Sequence, residues 1–392
     1  MEGLIQIQEL FRVMVDIEAS DLYLTVARPP MYRINGLIQP RGDVPFVQAD
    51  LDVFAKSIMT DRQNKEFETQ HEMNMAMALP GISRFRVNIF RQRGSVGLVI
   101  RRIKVEVPPL EELGLPPILG EIAMSKRGLV LVVGATGSGK STTQAAMVEY
   151  RNSREQGHII TIEDPIEFVH SHKKSIITQR EIGFDTHSFG AALKNTLRQA
   201  PDVILVGEIR DTETMEAVIT FAETGHLCLG TLHSNNANQA IERVMNFFTH
   251  ERHAQIYLQL SLNLRAIVSQ RLIRTVDGKR TAALEIMMDT PYIKELIKRG
   301  EVDTIKDGME QGVQEGCQTF DQALFSLYKE GKISLEHALI NADSTNNLRL
   351  KIKLAGLKYD QEPDMSEEVA HVHKHAVQAA AKPSSAFRIK RS

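Results

Sequence analysis

The chain has 392 residues, 42% of them hydrophobic and 24% charged, values of an ordinary globular protein with room for two or three domains. A formal net charge of −2 gives no general reason to expect nucleic acid or an anionic membrane as partner, so any such contact must come from a local patch. Cys228 and Cys317 are far apart and cannot make a four-cysteine zinc site or a disulfide framework; with no signal-peptide pattern at MEGLIQIQEL and no run of about 18 apolar residues, a soluble, cytoplasmic protein is expected.

From the amino end, Leu4, Ile7, Leu10, Phe11, Met14 and Val15 fall on one helical face and predict a packing helix. Leu22 to Val26 reads as a short strand, Pro29-Pro30 breaks it, and Asn35-Gly36 between Met31–Ile34 and Leu37-Ile38 is a hairpin signal. A helix from Gln48 to Met59 and a meander over 73–79, 85–90 and 96–103 complete a small α+β domain over 1–106. The meander carries Arg84, Arg86, Arg91, Arg93, Arg101 and Arg102, with no acidic residue from Gly81 to Arg102. Three readings stand open: pairing of nucleic-acid phosphates, arginine fingers on a nucleotide γ-phosphate, and a solvated strand face. Phe85 and Phe90 read as core positions, which counts against base stacking.

Residues 107–117, with a proline pair at each end, predict a stiff linker on which two domains could move as rigid bodies. Beyond it, strand and helix signals alternate in the α/β manner: strands 129–133, 158–163, 203–206 and 227–232, and helices 141–150, 188–198 and 212–224. The segment from Ala237 through Asn263–Leu272 reads as a long helix, Gly278 to Ile286 as a hairpin edge, and 291–342 as helical. This second domain is expected over 118–359 and a disordered tail over 360–392; His371, His373 and His375 there could bind a metal adventitiously, against a plain solvated tail.

Between the strand at 129–133 and its helix stands Gly134-Ala135-Thr136-Gly137-Ser138-Gly139-Lys140-Ser141, followed by Thr142, which fits G-x-x-x-x-G-K-[ST] with no mismatch. Backbone N–H groups of such a loop and the positive helix end favour phosphate oxygens, Lys140 reaches the β- and γ-phosphates, and the Ser141 hydroxyl can ligate Mg²⁺. In a parallel sheet the ligand sits at the carboxyl ends of the strands, which directs attention to polar residues just past them. Glu163 and Asp164 end one strand, and either could orient or deprotonate an attacking water; a loop or capping role is the alternative for Asp164. Asp202 begins the next strand, at the wrong end for phosphate. At the other end Gly207 takes the place of the usual aspartate and Glu208 follows, the expected metal-side carboxylate acting through water. Arg210 could pair with Asp211 or with a neighbouring subunit. His226 and His233 bracket a buried strand; His233 falls at the carboxyl end, where it could sense the γ-phosphate, and for both a satisfied core histidine is the alternative.

The order GATGSGKS, TIEDPIEF, LRQAPDVILVGEIRD and GHLCLGTLHSNNA, with SDLYLTVARPPMYRINGLI and RFRVNIFRQRGSVGLVIRRI upstream, resembles the secretion ATPase superfamily of type II secretion and type IV pilus motors over roughly residues 10–350. The resemblance implies an α/β architecture, an N-terminal PAS-like α+β domain followed by a RecA-like P-loop ATPase domain, in a homo-hexameric ring with ATP between the two domains. It implies functional roles for Lys140, Glu163, Glu208, His226 and His233, and for Arg84, Arg86 and Arg101 of the first domain. Within the superfamily the chain is most similar to the PilT/PilU family of pilus retraction ATPases, since two cysteines exclude the Cys₄ zinc subdomain of extension motors. Where PilT-type chains read Ala-Ile-Arg-Asn-Leu, this one reads Pro291-Tyr-Ile-Lys-Glu-Leu296, a departure that points to the PilU branch. Tyr23, where PilT-type chains tend to have His, is a further departure. That branch implies an accessory motor working with a PilT-type ATPase against a PilC-like platform protein of the inner membrane, peripheral to that membrane and without nucleic acid. A nucleotide-binding scaffold on a PilT ring and a nucleic-acid translocase are the competing readings.

Overall fold

The computed structural model of the protein describes residues 2–34, 36–79, 82–103 and 106–357, with side chains from residue 7 onward. Asn35 of the hairpin signal and the expected tail with its three histidines lie outside the described residues.

The amino-terminal elements are α1 (Glu2–Asp16), β1 (Asp21–Leu24), β2 (Met31–Ile34), β3 (Leu37–Pro40), α2 (Gln48–Ile58), α3 (Asp61–Gln70), β4 (Glu72–Leu79), β5 (Ser83–Gln92) and β6 (Ser95–Ile103). The strands form one antiparallel sheet in the order β3-β2-β1-β6-β5-β4. Strict alternation in β5 sends Phe85, Val87 and Ile89 into the core and Arg84, Arg86 and Asn88 to the opposite face. Ile7, Phe11 and Met14 of α1 meet the core face, and the Phe11 and Phe85 rings stack with centroids 4.7 Å apart. Phe90 does not share that core: one strand register from Ile89, it lies on the arginine side and covers Gly97, where a Cβ would come within 3.0 Å of its ring. Helix α3 has no apolar stripe to betray it, but Thr60 and Gln63 form a capping box at its start.

Residues 107–117 are less free than their prolines suggest, because Leu110 and Leu115 are buried. There follow α4 (Ile118–Ala123), β7 (Gly128–Val133), α5 (Lys140–Asn152), β8 (Gly157–Glu163), β9 (Ser175–Glu181), α6 (Phe189–Thr196), β10 (Val203–Val206), α7 (Thr212–Glu223), β11 (Leu227–Leu232), α8 (Ala237–Met245), α9 (His253–Asn263), β12 (Leu264–Arg274), β13 (Arg280–Met288), α10 (Pro291–Arg299) and α11 (Ile305–Gln311). The second sheet runs β13-β12-β7-β11-β10-β8-β9, with every pairing from β12 to β9 parallel. Its central strands β7, β10 and β11 are buried at every residue, as strands covered on both faces must be.

Of the segment expected as the continuation of a helix, Asn263–Leu272, Asn263 closes α9 and the residues from Leu264 onward form strand β12. Leu264, Ala266, Ile267 and Val268 are buried beside β7, and tertiary pairing overrides the helix-forming tendency of the leucines and arginines around them. The strand β9 carried no prediction; it adds an outer parallel strand to β8.

The described chain divides into two compact units, one of residues 1–272 with 284–319, the other of 273–283 with the residues from Phe320 onward. In the second unit α12 (Phe320–Lys329), α13 (Leu335–Ile340) and α14 (Thr345–Leu354) enclose a small core of Ile273, Phe320, Leu324, Leu348 and Ile352. The buried Asp321 carboxylate accepts from the backbone N–H groups of Asp343 and Ser344 and fixes the turn before α14.

Candidate nucleotide site

The loop after β7 is shaped for phosphate before any phosphate is considered. Gly134, Gly137 and Gly139 all take positive φ, at 151°, 78° and 92°. A Cβ on Gly134 would come within 2.5 Å of the Gln270 carbonyl, and one on Gly139 within 2.7 Å of Gln270 Nε2, so glycine is required for close approach as well as for conformation. Gln270 sits in β12, and its Oε1 accepts from Thr143 Oγ1 at 2.7 Å, tying the start of α5 to the neighbouring strand. Sequence reasoning missed Gln270 because it lay in the segment read as helix. The apolar run Ile267-Val268 just before it was the available signal.

Lys140 is largely buried, and its Nζ donates to the carbonyls of Gly134 and Ala135 at 2.8 and 3.0 Å. Burial pulls its pKa down, and Glu208 opposes that shift. An ammonium curled back on its own loop is a donor waiting for better acceptors, and phosphate oxygens offer them. Ser138 Oγ is buried with no hydrogen-bond partner among the described residues, while Ser141 at the helix start is exposed. These features fit a nucleotide phosphate chain. No group of three or more His, Cys, Asp or Glu among the described residues could hold a metal by itself. Ser141 at the start of α5 and Glu208 after β10 are the residues expected to take part in a Mg²⁺ shell otherwise made of water and phosphate oxygens.

The register of the parallel strands brings the predicted residues to one edge of the sheet. Leu232 of β11 pairs with Val133 of β7, and Val206 of β10 pairs with both Gly230 and Ile162. Gly134, Glu163, Glu208 and His233 thus all stand at the carboxyl edge. Gly207 stands where an aspartate is usual, and β8 runs tightly beside it: a Cβ there would lie 3.1 Å from Glu163 Cα. The Glu163 carboxylate accepts from Thr161 Oγ1 at 2.6 Å and from Gln179 Nε2 at 3.3 Å, and burial raises its pKa above the ordinary carboxylate range. A carboxylate so placed is a better proton acceptor than a solvated one. Gln179, on the unpredicted β9, is held in turn by the His170 N–H and the Phe168 carbonyl. Glu208 behaves oppositely. The hydrogen bond from Arg210, 2.7 Å away, holds its pKa below the usual range, with the Arg210, His233 and Lys140 charges adding to it; His233 Nε2 lies 3.2 Å from its other oxygen. Arg210 therefore pairs with Glu208 and not with Asp211, which caps α7 through the Thr214 N–H. Asp202 accepts from the His158 N–H at the amino edge, away from the loop, as expected.

His226 does not join this cluster. It precedes β11, at the opposite edge of the sheet, with Nδ1 beside Thr224 Oγ1 and the Phe221 carbonyl, both at 3.1 Å. Along the strand that places it on the order of 20 Å from the loop. The three first-domain arginines also diverge. Arg86 reaches the second sheet, where it donates to the buried Glu181 of β9 at 3.0 Å. Arg101 is held within its own sheet by Asp21, which also takes Arg33. Arg33 in addition donates to the Tyr23 hydroxyl, the group that replaces histidine here. The Arg84 side chain makes no hydrogen bond or ion pair among the described residues. Glu181 was not anticipated, since an acid at the end of an unpredicted strand had no context.

Replacing Gln270 by leucine leaves the buried Thr143 hydroxyl without its acceptor. A loss of about 1–3 kcal/mol in stability is expected, with weaker nucleotide binding. Thermal melting and titration with a fluorescent ADP check both; unchanged values would show that the bond does not support the loop.

Known proteins fit this geometry. A family model described as "Type II/IV secretion system protein" matches residues 15–352. The type IV pilus ATPase PilU of Pseudomonas aeruginosa is 52% identical over 350 residues, covering 89% of this chain and 92% of that protein. The type IV pilus retraction ATPase PilT of the same organism is 43% identical over 341 residues, covering 87% and 99%. A crystal structure of the pilus retraction motor PilT with bound ADP superposes with a TM-score of 0.82 at 41% identity, covering 88% of this chain and 99% of that one. The Legionella pneumophila ATPase DotB, at 24% identity and a TM-score of 0.73 over 90% of this chain and 96% of its own, shares the fold.

Proposed function

Because the chain belongs to the Type II/IV secretion system protein family, in its PilT/PilU branch of ATPases, we propose that it powers type IV pilus retraction as an accessory motor beside a PilT-type ATPase. The observation that carries this is the gathering of Lys140, Glu163, Glu208 and His233 at one sheet edge around the phosphate loop.

Binding of ATP draws Lys140 off the Gly134 and Ala135 carbonyls onto the β- and γ-phosphates. Glu163, its basicity raised by burial, takes the proton of the attacking water. Mg²⁺, where bound, neutralises phosphate charge, and Ser141 directly and Glu208 through water would hold it. His233, bridged to Glu208, reports whether the γ-phosphate is present. Arg86 is the first-domain arginine best placed to report the same event, since it already spans to β9. Exchanging Glu181 for a γ-phosphate oxygen would draw the first domain onto the nucleotide, with 107–117 as the hinge. Arg84 and Arg101 join only if the closing motion frees them from the face where they now lie. In a homo-hexameric ring such closures, taken in turn, would rotate a PilC-like platform protein of the inner membrane. No helix among the described residues is long and apolar enough to cross a membrane.

The test is pilus retraction in cells carrying this protein as their sole retraction-type ATPase. No retraction is expected, with force restored when a PilT-type ATPase is present. Full retraction by this protein alone would remove the accessory reading.

A further inference from the structure

Beside the phosphate loop lies a cavity of about 300 Å³ whose walls include Gly134, Ala135, His233, Ser234, Glu242 and Arg243. It opens on the two residues whose carbonyls hold Lys140 Nζ, and therefore on the place where a γ-phosphate would sit. Its lining is polar and mixed in charge. Ser234 Oγ is buried there without a hydrogen-bond partner among the described residues, on the residue next to His233. Arg243 projects from α8, its guanidinium steadied over the Phe247 ring 5.3 Å from the centroid. One guanidinium and one orphan hydroxyl are donors suited to a tetrahedral oxyanion. The Glu242 carboxylate on the same wall keeps the site from holding an anion tightly.

We propose that this cavity is a product site, which takes up inorganic phosphate as it leaves the phosphate loop, with Arg243 and Ser234 as its donors. The proposal rests on the reading of the loop as the ATP site and adds a route for the second product. Hydrolysis yields ADP, which stays on the loop, and phosphate, for which the cavity walled by Gly134, Ala135 and His233 is an adjoining space as it leaves the γ position. Phosphate lodged there would lie against His233 and so against Glu208, 3.2 Å further on, and its departure would reset the cluster that senses the γ-phosphate. Phosphate release then becomes a discrete step at which a motor can be held or advanced by load.

The experiment is equilibrium dialysis of radiolabelled inorganic phosphate against full-length protein saturated with ADP, at constant ionic strength. Arg243→Gln is expected to weaken phosphate binding about tenfold and Ser234→Ala about threefold, while ADP affinity stays within twofold of wild type. Retained ADP affinity also shows that each variant is folded. Phosphate affinity unchanged in both variants would overturn the proposal, because phosphate would then rest on the loop alone. A parallel fall in ADP affinity would also overturn it, by showing that these side chains support the loop. Failure of the wild-type protein to bind ADP at all would instead remove the reading of the loop itself.

Discussion

Lys140→Ala is expected to lower ATP turnover by about a hundredfold or more while leaving the fold intact. The side chain is held only by two carbonyls of its own loop, so its removal costs little packing. What disappears is the one ammonium that can follow negative charge from the β- to the γ-phosphate as the bond breaks. In water such a contact would be weak, but here the ammonium is mostly buried and its pKa already depressed by that burial. Lysine→arginine is not a rescue, because a planar guanidinium cannot take the place of the compact, largely buried ammonium that now sits against the Gly134 and Ala135 carbonyls. Steady-state turnover of purified protein with Mg²⁺ and ATP is the measurement. Near-normal turnover in the variant would place the chemistry elsewhere.

Glu163→Gln is expected to bind ATP normally and hydrolyse it about 10²–10⁴ times more slowly. Glutamine keeps the acceptor oxygen that Thr161 and Gln179 use, so the surrounding hydrogen bonds survive and the lost function is proton acceptance. Burial raises the Glu163 pKa, so the carboxylate protonates at a higher pH than a solvated glutamate. Protonation removes the base, and wild-type turnover should therefore fall on the acid side with a midpoint above the ordinary carboxylate range. A wild-type rate flat through that range, or a glutamine variant as fast as wild type, would move the role of base to another residue. Glu208, whose pKa Arg210 depresses, stays ionised across the same interval and contributes no such limb.

The two carboxylates illustrate how much the amino-acid sequence disclosed. Their types and positions at strand ends were readable, because a buried β-branched run followed by a polar residue marks a carboxyl edge. Their opposite electrostatic settings were not, since these depend on the burial of Glu163 under the folded sheet and on the turn that brings the Arg210 guanidinium onto Glu208. Gly207 was visible as an oddity; that β8 runs 3.1 Å from a hypothetical side chain there was not. The largest misreading, a helix in place of β12, has one cause: the stretch 266–270 is buried at every residue and so carries no alternation, and periodicity cannot separate such a strand from a buried helix. Gln270 was lost with it. The arginines show a second limit. Six on one meander suggested a shared role, but the fold sorts them: the pairing of β1 with β6 gives Arg101 to Asp21, and Arg86 goes to Glu181 of β9 in the second sheet. The aromatics erred by parity, since Phe85 and Phe90 are an odd number of residues apart and must face opposite sides of a regular strand.

The segment from Pro291 to Gly300 forms a regular helix with Thr290 as its N-cap and Gly300 in the left-handed conformation at its end. Tyr292 of this helix is half exposed, while Ile293, Leu296 and Ile297 are buried.

The central claim is that hydrolysis at this loop performs mechanical work, and not that nucleotide merely stabilises a scaffold. It is tested most directly by measuring single-pilus retraction force in cells that retain their PilT-type ATPase and carry Glu163→Gln in place of the wild-type chain. The account predicts a loss of force under load, equal to that of cells lacking the chain; force equal to wild type would contradict it.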